Sequence, residues 1–180
     1  NLYKLTVTWG AGGTATPTTE GFYPYSQQVP VTTTPATGYN FSHWSGDLDA
    51  LKDPYSPSTD VNMTVKATDV SLQAHFSPKI YPVEINATVG GSINLATAPY
   101  EHFGVCSITA EPDAGYVFTG WQGETDSMQG VTDANAPTTL LTISGPVQLT
   151  ASFALASYNL TVSAGTGGAF QGGGTYRSDQ

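Results

Sequence analysis

The chain has 180 residues, of which 39% are hydrophobic and only 11% charged, and its formal net charge is −9. Nucleic-acid phosphates and anionic membrane surfaces are bound through basic side chains, so this charge argues against both as partners. No apolar run approaches the roughly 20 residues that span a bilayer, so membrane insertion is not expected. The 20 glycines and 12 prolines interrupt every long stretch and argue against extended helices.

The first segment of the chain alternates in a way that predicts a half-buried strand. Leu5, Val7 and Trp9 are separated by polar residues, which is the period-two pattern of a strand with one buried face. A turn is predicted at Gly12-Gly13, and a second strand of Thr and Ala residues follows it. Further strands are predicted around residues 29–34, 39–44, 61–66 and 70–76, with a polar loop over residues 47–60.

The same motifs then occur a second time and begin a third time. Tyr3-Lys-Leu-Thr-Val7 is matched by Tyr81-Pro-Val-Glu-Ile85 and by Tyr158-Asn-Leu-Thr-Val162, and a glycine pair follows each copy. Gly38-Tyr-Asn-Phe-Ser-His-Trp44 is matched by Gly115-Tyr-Val-Phe-Thr-Gly-Trp121 at an offset of 77 residues. This regularity predicts tandem repeats. Repeat 1 is expected over residues 1–78, repeat 2 over 79–155 and a partial third repeat over 156–180.

The repeats predict an all-β fold of small sandwich-like units, each of about 75 residues. The partial third repeat is expected to contribute only its N-terminal β-hairpin. Small units bury little surface, so each large ring should contribute strongly to the core. The expected core residues are Tyr39, Phe41, Trp44 and Phe76 in repeat 1 and Tyr116, Phe118, Trp121 and Phe153 in repeat 2.

These motifs resemble the divergent InlB B-repeat family of bacterial and archaeal surface proteins. The resemblance lies in the Tyr-x-Leu-Thr-Val opening, the glycine pair, the Gly-Tyr-x-Phe-x-x-Trp segment and the closing strand. Residues 3–76 and 81–153 cover the pattern, and residues 158–180 cover its opening, with departures at Pro82 and over residues 101–106. The resemblance implies a compact β-rich, β-grasp-like module without catalytic residues. Such a module would be a spacer or adhesive element of a large secreted protein, located outside the cell or on its surface.

The residues most often used in catalysis are few in this chain. His43, His75 and His102 are far apart in sequence and occupy non-equivalent repeat positions, so we expect solvated strand residues. Cys106 aligns with Val29, which predicts a buried free thiol that behaves as a small hydrophobic residue. Since no acid–base or metal constellation is evident, we predict that the protein is not an enzyme and needs no cofactor.

An acidic loop is the only candidate for metal binding. Asp47, Asp49 and Asp53 lie within seven residues and could place oxygens around Ca²⁺. The loop lacks the glycine and terminal glutamate of an EF-hand, and repeat 2 offers only Glu124 and Asp126 at a comparable place. A solvated acidic loop is the alternative.

Two further features suggest recognition of carbohydrate or modification by it. Four tyrosines lie in loops or near turns, where they could stack on sugars or simply pack within the turns: Tyr23, Tyr25, Tyr55 and Tyr100. Asparagine sequons could carry N-linked glycans, or could be ordinary polar strand positions. These sequons begin at Asn40, Asn62, Asn86 and Asn159.

The third repeat suggests a mode of assembly. An isolated hairpin is marginal in water, and its unpaired edge invites another strand. We therefore expect the hairpin to lie either on the second unit of its own chain or on the next subunit of a head-to-tail filament. The competing interpretation is that the chain is a piece of a longer repeat protein. The residues expected to mediate this assembly are Tyr158, Leu160, Val162 and Phe170.

Taken together, the sequence predicts a non-catalytic extracellular structural or adhesive module. It would act as the subunit of a surface filament that is assembled by strand or hairpin addition and self-associates head to tail. The alternative is a carbohydrate-binding or spacer module of a larger secreted protein or hydrolase, with glycans as partners.

Overall fold

The protein is all-β, as the sequence predicts, in a computed structural model that describes residues 1–63, 68–96, 99–169 and 171–178. It divides into two compact units, residues 1–80 and residues 81–180, named here unit 1 and unit 2. β-Branched and aromatic residues suit a pleated, half-buried surface, and glycine and proline limit the length of each strand.

The described residues of unit 1 form two sheets. The first sheet has the strand order β3-β1-β7-β5 and the second has the order β2-β4-β6. A short 3-10 helix, Leu48–Ala50, lies between β5 and β6. The strands are β1 (Leu2–Trp9), β2 (Gly13–Thr16), β3 (Gly21–Pro24), β4 (Gln28–Pro35), β5 (Tyr39–Gly46), β6 (Ser58–Asn62) and β7 (Val70–Pro78).

Unit 2 repeats this plan and adds a hairpin. Its strands are β8 (Val83–Ala87), β9 (Gly91–Leu95), β10 (Val105–Pro112), β11 (Tyr116–Gly123), β12 (Thr138–Thr142), β13 (Val147–Leu155), β14 (Ser157–Leu160) and β15 (Gly174–Arg177). The sheets have the orders β11-β13-β8 and β12-β10-β9, and β14 pairs with β15. A five-residue helix, α1 (Thr125–Gln129), stands where unit 1 has its 3-10 helix.

The first and last strands of each repeat are neighbours and run parallel. β1 pairs with β7 so that Leu5 lies opposite Val70 and Val7 opposite Leu72. β8 pairs with β13 in the same register, with Val83 opposite Val147 and Ile85 opposite Leu149. The strands that open and close a repeat therefore lie side by side in one sheet.

Each unit encloses one hydrophobic core between its two sheets. In unit 1, Leu5 and Leu72 from the first sheet join Val31 and Val61 from the second in one buried cluster. Side chains on one face of a strand recur at every second residue, which is why the alternating segments supply this core. The matching residues of unit 2 include Ile108, Trp121, Leu141 and Leu149.

Two strands of unit 1 differ from the sequence prediction. The strand predicted over residues 61–66 is β6 and begins at Ser58, within the predicted loop, while residues 64–67 lie outside the described part of the chain. Thr59 is buried although it is polar, so the apolar pattern did not reveal the start of this strand. β3 was not predicted at all, because it has only four residues and ends in proline.

Candidate functional site

A buried tryptophan lies at the centre of the predicted aromatic cluster of unit 1. Trp44 is 1% exposed, and its indole Nε1 donates a hydrogen bond to the Ser56 carbonyl oxygen at 3.0 Å. The Phe41 ring centroid lies 5.8 Å from that of Trp44 and 6.2 Å from that of Phe76. Because a buried indole N–H needs an acceptor, this bond holds the loop after β5 against the core.

Unit 2 builds the same cluster with nearly the same dimensions. Trp121 is 3% exposed and donates its indole N–H to the Ala136 carbonyl oxygen at 3.0 Å. Ring centroids are 5.5 Å apart for Phe118 and Trp121 and 5.9 Å apart for Phe118 and Phe153. The cluster is therefore a repeated structural element and not a special site of one unit.

The predicted core residues Tyr39 and Tyr116 lie over glycine turns and not within the buried clusters. Tyr39 is half-buried, and its ring covers the turn before β2, where Gly12 has a φ of +98°. A Cβ atom on Gly12 would overlap the Tyr39 ring, and one on Gly13 would overlap the Phe76 ring. Only glycine combines that backbone conformation with that clearance. The matching contacts in unit 2 are Tyr116 over Gly90 and Phe153 over Gly91.

The acidic loop contains a turn that recurs in unit 2. Asp53 Oδ1 accepts a hydrogen bond from the Tyr55 backbone N–H at 2.9 Å, and the Asp53 N–H donates to Thr59 Oγ1 at 3.1 Å. An aspartate that bonds the backbone two residues on stabilises a local turn. In unit 2 the corresponding residues are Asp133, Asn135 and Thr139, with distances of 2.8 and 3.0 Å. This equivalence was missed, because an offset of 80 residues replaces the usual 77.

The other two calcium candidates do not converge with Asp53. Asp47 Oδ2 accepts the Ser71 backbone N–H at 2.9 Å, and Asp49 is exposed. In unit 2, Ser127 Oγ accepts the matching N–H, that of Gln148, at 3.0 Å. Among the described residues, no three His, Cys, Asp or Glu side chains gather closely enough to hold a metal ion. The geometry therefore gives Asp47 and Asp53 structural partners and does not support the calcium hypothesis.

Two histidines that are distant in sequence meet across neighbouring strands. His43 in β5 lies opposite His75 in β7, and their rings stack with centroids 4.6 Å apart and planes 9° apart. The Ser42 hydroxyl lies 3.0 Å from His43 Nδ1, and the Ser45 hydroxyl lies 2.7 Å from His75 Nε2. The expectation of separate solvated residues was therefore incomplete, because strand register brings them together. Their parallel planes make this a packing pair and not a chelating one.

The third histidine belongs to a ring contact that recurs. The His102 ring centroid lies 5.7 Å from that of Tyr81 and 4.0 Å from that of Phe103. Neither of its ring nitrogens, both buried, has a hydrogen-bond partner among the described residues. His102 takes the place of Tyr25, whose ring meets that of Tyr3 edge-on at 6.4 Å. It is a packed residue and not a solvated one.

Cys106 lines an open groove in unit 2. The thiol is partly buried and packs against the core, so it is less enclosed than predicted. Burial raises the pKa of Cys106, which keeps the thiol protonated and weakly nucleophilic. Burial and, to a lesser extent, the negative charge that Cys106 carries when ionised raise the pKa of Tyr100, whose hydroxyl donates to the Ala96 carbonyl oxygen at 2.6 Å. The groove, of about 460 Å³, therefore has no activated nucleophile in this pair.

The surface aromatics and sequons are only partly accessible. Tyr23 packs against the core of unit 1, whereas Tyr25 is 53% exposed and Tyr55 is 75% exposed. All four sequon asparagines lie in strands. Asn62 is half-buried, whereas the exposed ones are Asn40, Asn86 and Asn159.

The third segment reproduces the β1·β3 pair of a repeat. β14 and β15 are antiparallel, with Tyr158 opposite Tyr176. The same pairing places Tyr3 opposite Tyr23 in unit 1. In unit 2, the Tyr81 N–H donates to the Tyr100 carbonyl oxygen at 3.0 Å. A tyrosine pair therefore opens all three segments.

The hairpin keeps its apolar side chains in solvent. Tyr158 is 62% exposed, Leu160 52% and Tyr176 42%. Of the other residues expected to mediate assembly, Val162 lies beyond the end of β14 and Phe170 lies outside the described residues. The hairpin thus has the pairing of a repeat opening without the enclosed core of units 1 and 2.

One family matches both units. The divergent InlB B-repeat domain matches residues 3–80 and 81–157, which together make up most of the chain. The chain belongs to the divergent InlB B-repeat family. The resemblance drawn from the motifs is thereby confirmed. Comparisons with curated proteins and with solved structures gave no match.

Membership of the InlB B-repeat family bears on function and location. This family of surface-protein repeats suggests a non-catalytic structural module and an extracellular or cell-surface location. Within the described residues, no helix has both the length and the apolar character needed to cross a membrane.

Pro82 departs from the InlB B-repeat pattern but leaves the ladder intact. Its carbonyl oxygen accepts the Val147 N–H at 3.0 Å, and that bond does not need the N–H that proline lacks. In unit 1 the residue at this position is Lys4, whose backbone N–H donates to Asp69 Oδ1 at 2.8 Å. Unit 2 has Pro146 at the position of Asp69, so the acceptor and its donor are both absent there.

The second departure, at residues 101–106, keeps the backbone of the turn. Phe103 has a φ of +62°, and the Gly104 N–H donates to the Glu101 carbonyl oxygen at 2.9 Å. In unit 1, Ser26 has a φ of +76° in the corresponding turn. Different side chains in the two InlB B-repeats therefore support the same turn.

Proposed function

We propose that this chain is a non-catalytic spacer segment of an extracellular surface protein. The observation that carries this proposal is repetition. The tryptophan cluster, the glycine turn and the parallel strand pair occur in both units, and the opening tyrosine pair occurs again in the third segment. Units that each enclose their own core can follow one another along a chain, so their number sets its length. An enzyme instead gathers its catalytic side chains at one site.

The residues that could have carried chemistry have structural partners, which supports this proposal. Asp47 and Asp53 bond to backbone N–H groups, and His43 and His75 stack on each other. The pKa of Cys106 is raised, opposite to the direction that activates a thiol. These contacts favour a mechanical role over a chemical one.

The spacer proposal predicts that length grows in equal steps with the number of repeats. One or two further copies of residues 81–157 would be inserted after residue 157 of the full chain. Small-angle X-ray scattering should show the maximum dimension rising by a similar amount for each copy. Collapse of the added copies into a globule, with no growth in that dimension, would contradict the proposal. Antibodies against the chain should also label intact producing cells.

A second candidate function, assembly into a filament, is favoured by the exposed hairpin. Among the described residues β14 pairs only with β15, whereas β1 and β8 each have a parallel strand on one edge. An open edge beside exposed Tyr158 and Leu160 is suited to strand addition. We propose that, in this mode, the occupant is a second copy of the chain, bound head to tail.

Deletion of the hairpin tests this second candidate. The full chain, the chain without residues 158–180 and the variant Leu160→Asp would be compared by light scattering and electron microscopy. Assembly should require the hairpin and be lost in Leu160→Asp, because a charge on an edge strand opposes pairing. Tyr55→Ser changes an exposed residue elsewhere and is the matched control. Fibres that persist without the hairpin would exclude this mode.

Carbohydrate binding remains the alternative that the exposed tyrosines support. Tyr25 and Tyr55 present rings that could stack on sugar faces. A glycan array with the full chain tests this, and any signal should be lost in a Tyr25→Ala, Tyr55→Ala double variant. Binding that survives both substitutions would place the ligand elsewhere.

A further inference from the structure

We propose that each unit is a mechanical clamp that resists tension applied along the chain. This inference deepens the proposed spacer function and rests on it, since a spacer on a cell surface carries load between its ends. It follows from the parallel pairing of the strands that open and close each unit.

The direction in which tension enters and leaves unit 1 decides how its bonds are loaded. Tension enters at Leu2, the start of β1, and leaves at Pro78, the end of β7. Because the two strands are parallel, these points lie at opposite ends of the paired stretch, which covers residues 5–9 and 70–74. Pulling then slides one strand along the other, so the bonds of the ladder share the load and must fail together.

The paired stretch carries extra hydrogen bonds at its ends. In unit 1, the Lys4 N–H donates to Asp69 Oδ1 at 2.8 Å at the start, and the Gly10 N–H donates to the Ala74 carbonyl oxygen at 3.0 Å at the far end. Thr8 Oγ1 adds a bond to the Leu72 carbonyl oxygen at 3.1 Å. These bonds lengthen the set that must break at once.

Unit 2 has the same device with partly different residues. The Val147 N–H donates to the Pro82 carbonyl oxygen at 3.0 Å at the start of the pair. At the far end, the Thr88 N–H donates to the Ala151 carbonyl oxygen at 2.9 Å. Unit 2 thus has hydrogen bonds at both ends of its parallel strand pair although it lacks Lys4 and Asp69. The bonded ends therefore do not depend on that one side-chain contact.

The core opposes the same sliding motion. Val70, Leu72 and Ala74 of β7 are each at most 1% exposed, so moving β7 along β1 would drag these side chains out of their packing. The opposite edge of β7 is paired with β5 over most of its length. The hydrogen bonds between β1 and β7 and the packing of the core therefore break in the same event.

The hairpin is an internal contrast to the two clamps. Among the described residues, β14 pairs only with antiparallel β15. Tension that enters at Ser157 and leaves at Arg177 acts on residues directly opposite each other, so it peels the pair one bond at a time. We expect this segment to open before either unit.

The test is to pull the same ladder in two directions with an optical trap. Both variants carry Cys106→Val to remove the native thiol and a handle at residue 1. Ile80→Cys places the second handle beyond the end of β7 and shears the ladder. Thr68→Cys places it before the start of β7 and peels the ladder from one end. Ile80 and Thr68 are both exposed, so the fold should tolerate either change.

At equal loading rate, the clamp predicts that unit 1 unfolds at a force at least about twofold higher in the shearing variant than in the peeling variant. Forced unfolding is governed by the barrier along the pulled direction, and the two variants differ in that direction. The released lengths identify the unit, since roughly 270 Å of chain is freed between residues 1 and 80 and roughly 230 Å between residues 1 and 68. Urea unfolding of both variants should give the same midpoint, which shows that only direction differs. A force ratio below twofold overturns the clamp. The spacer proposal is judged separately, by the growth in length with added repeats.

Discussion

Units 1 and 2 share their backbone geometry more closely than their side chains. In both units a tryptophan N–H donates to a loop carbonyl oxygen and an aromatic ring covers a glycine turn. In both, the closing strand also pairs in parallel with the opening strand. In contrast, unit 1 has a stacked His43–His75 pair where unit 2 has Gly120 and Ser152. What is common to both units therefore indicates what the fold requires, and what differs indicates which residues can be exchanged.

The largest expected effect concerns the shared tryptophan. Trp44→Ala should destabilise unit 1 by about 3–5 kcal/mol, and Trp121→Ala should do the same to unit 2, because each removes a buried ring and a hydrogen bond. Hydrogen exchange followed by mass spectrometry resolves the two units. Trp9→Phe, a conservative change at a half-buried ring, is the control. Equal loss of protection in both units would show that they do not unfold separately.

The glycine turns should show the next largest effect. Gly12→Ala and Gly90→Ala force a Cβ into a tyrosine ring at positive φ, which should cost about 1–3 kcal/mol each. Gly167 also has a positive φ of +97°, but nothing lies within 4 Å of an added Cβ. Gly167→Ala is therefore the matched control for backbone strain without a ring contact, and it should cost less in urea unfolding than Gly90→Ala. A cost in Gly167→Ala as large as in Gly90→Ala would mean that the ring contact contributes nothing.

These comparisons also show what the sequence could predict. The all-β fold, the repeat and the buried tryptophans follow from motifs whose order and spacing are constant along the chain. The Asp53–Asp133 equivalence was hidden, because unit 2 has three more residues before that turn. The His43–His75 contact was hidden because it depends on the register of β5 and β7, which a bulge shifts between Phe41 and His43.

The third prediction concerns Cys106, which replaces Val29 of unit 1. Cys106→Val should change stability by less than about 1.5 kcal/mol, because the swap nearly conserves volume. Burial raises the pKa of the folded thiol above that of the unfolded chain. The associated stability is complete below the unfolded pKa and is lost as pH rises through the folded one. The free energy of unfolding, measured with urea across a range of pH, should therefore show this alkaline decline in the unchanged chain and lack it in Cys106→Val.

Alkylation of Cys106 gives an independent measurement of the same shift. The rate should rise at higher pH in the folded protein than in urea, because the thiolate is the reacting species. A folded thiol that reacts at lower pH than the unfolded one would mean that an electropositive niche, and not burial, controls it.

The smallest effect on stability is expected from the ion pair of Lys4 in unit 1. Unit 2 has Pro82 at the position of this lysine. Lys4 Nζ lies 2.8 Å from Glu20 Oε1, but the two side chains are 32% and 55% exposed, so water weakens the attraction. Lys4→Met keeps the aliphatic stem and the backbone bond to Asp69, so unit 1 should lose less than about 1 kcal/mol. The difference should shrink further in about 1 M salt, where charges are screened within roughly 3 Å. Glu20→Gln is the matched variant, and urea unfolding measures both. A larger loss in either would mean that side chains on the exposed face of β1, and not only the shared core, hold unit 1 together.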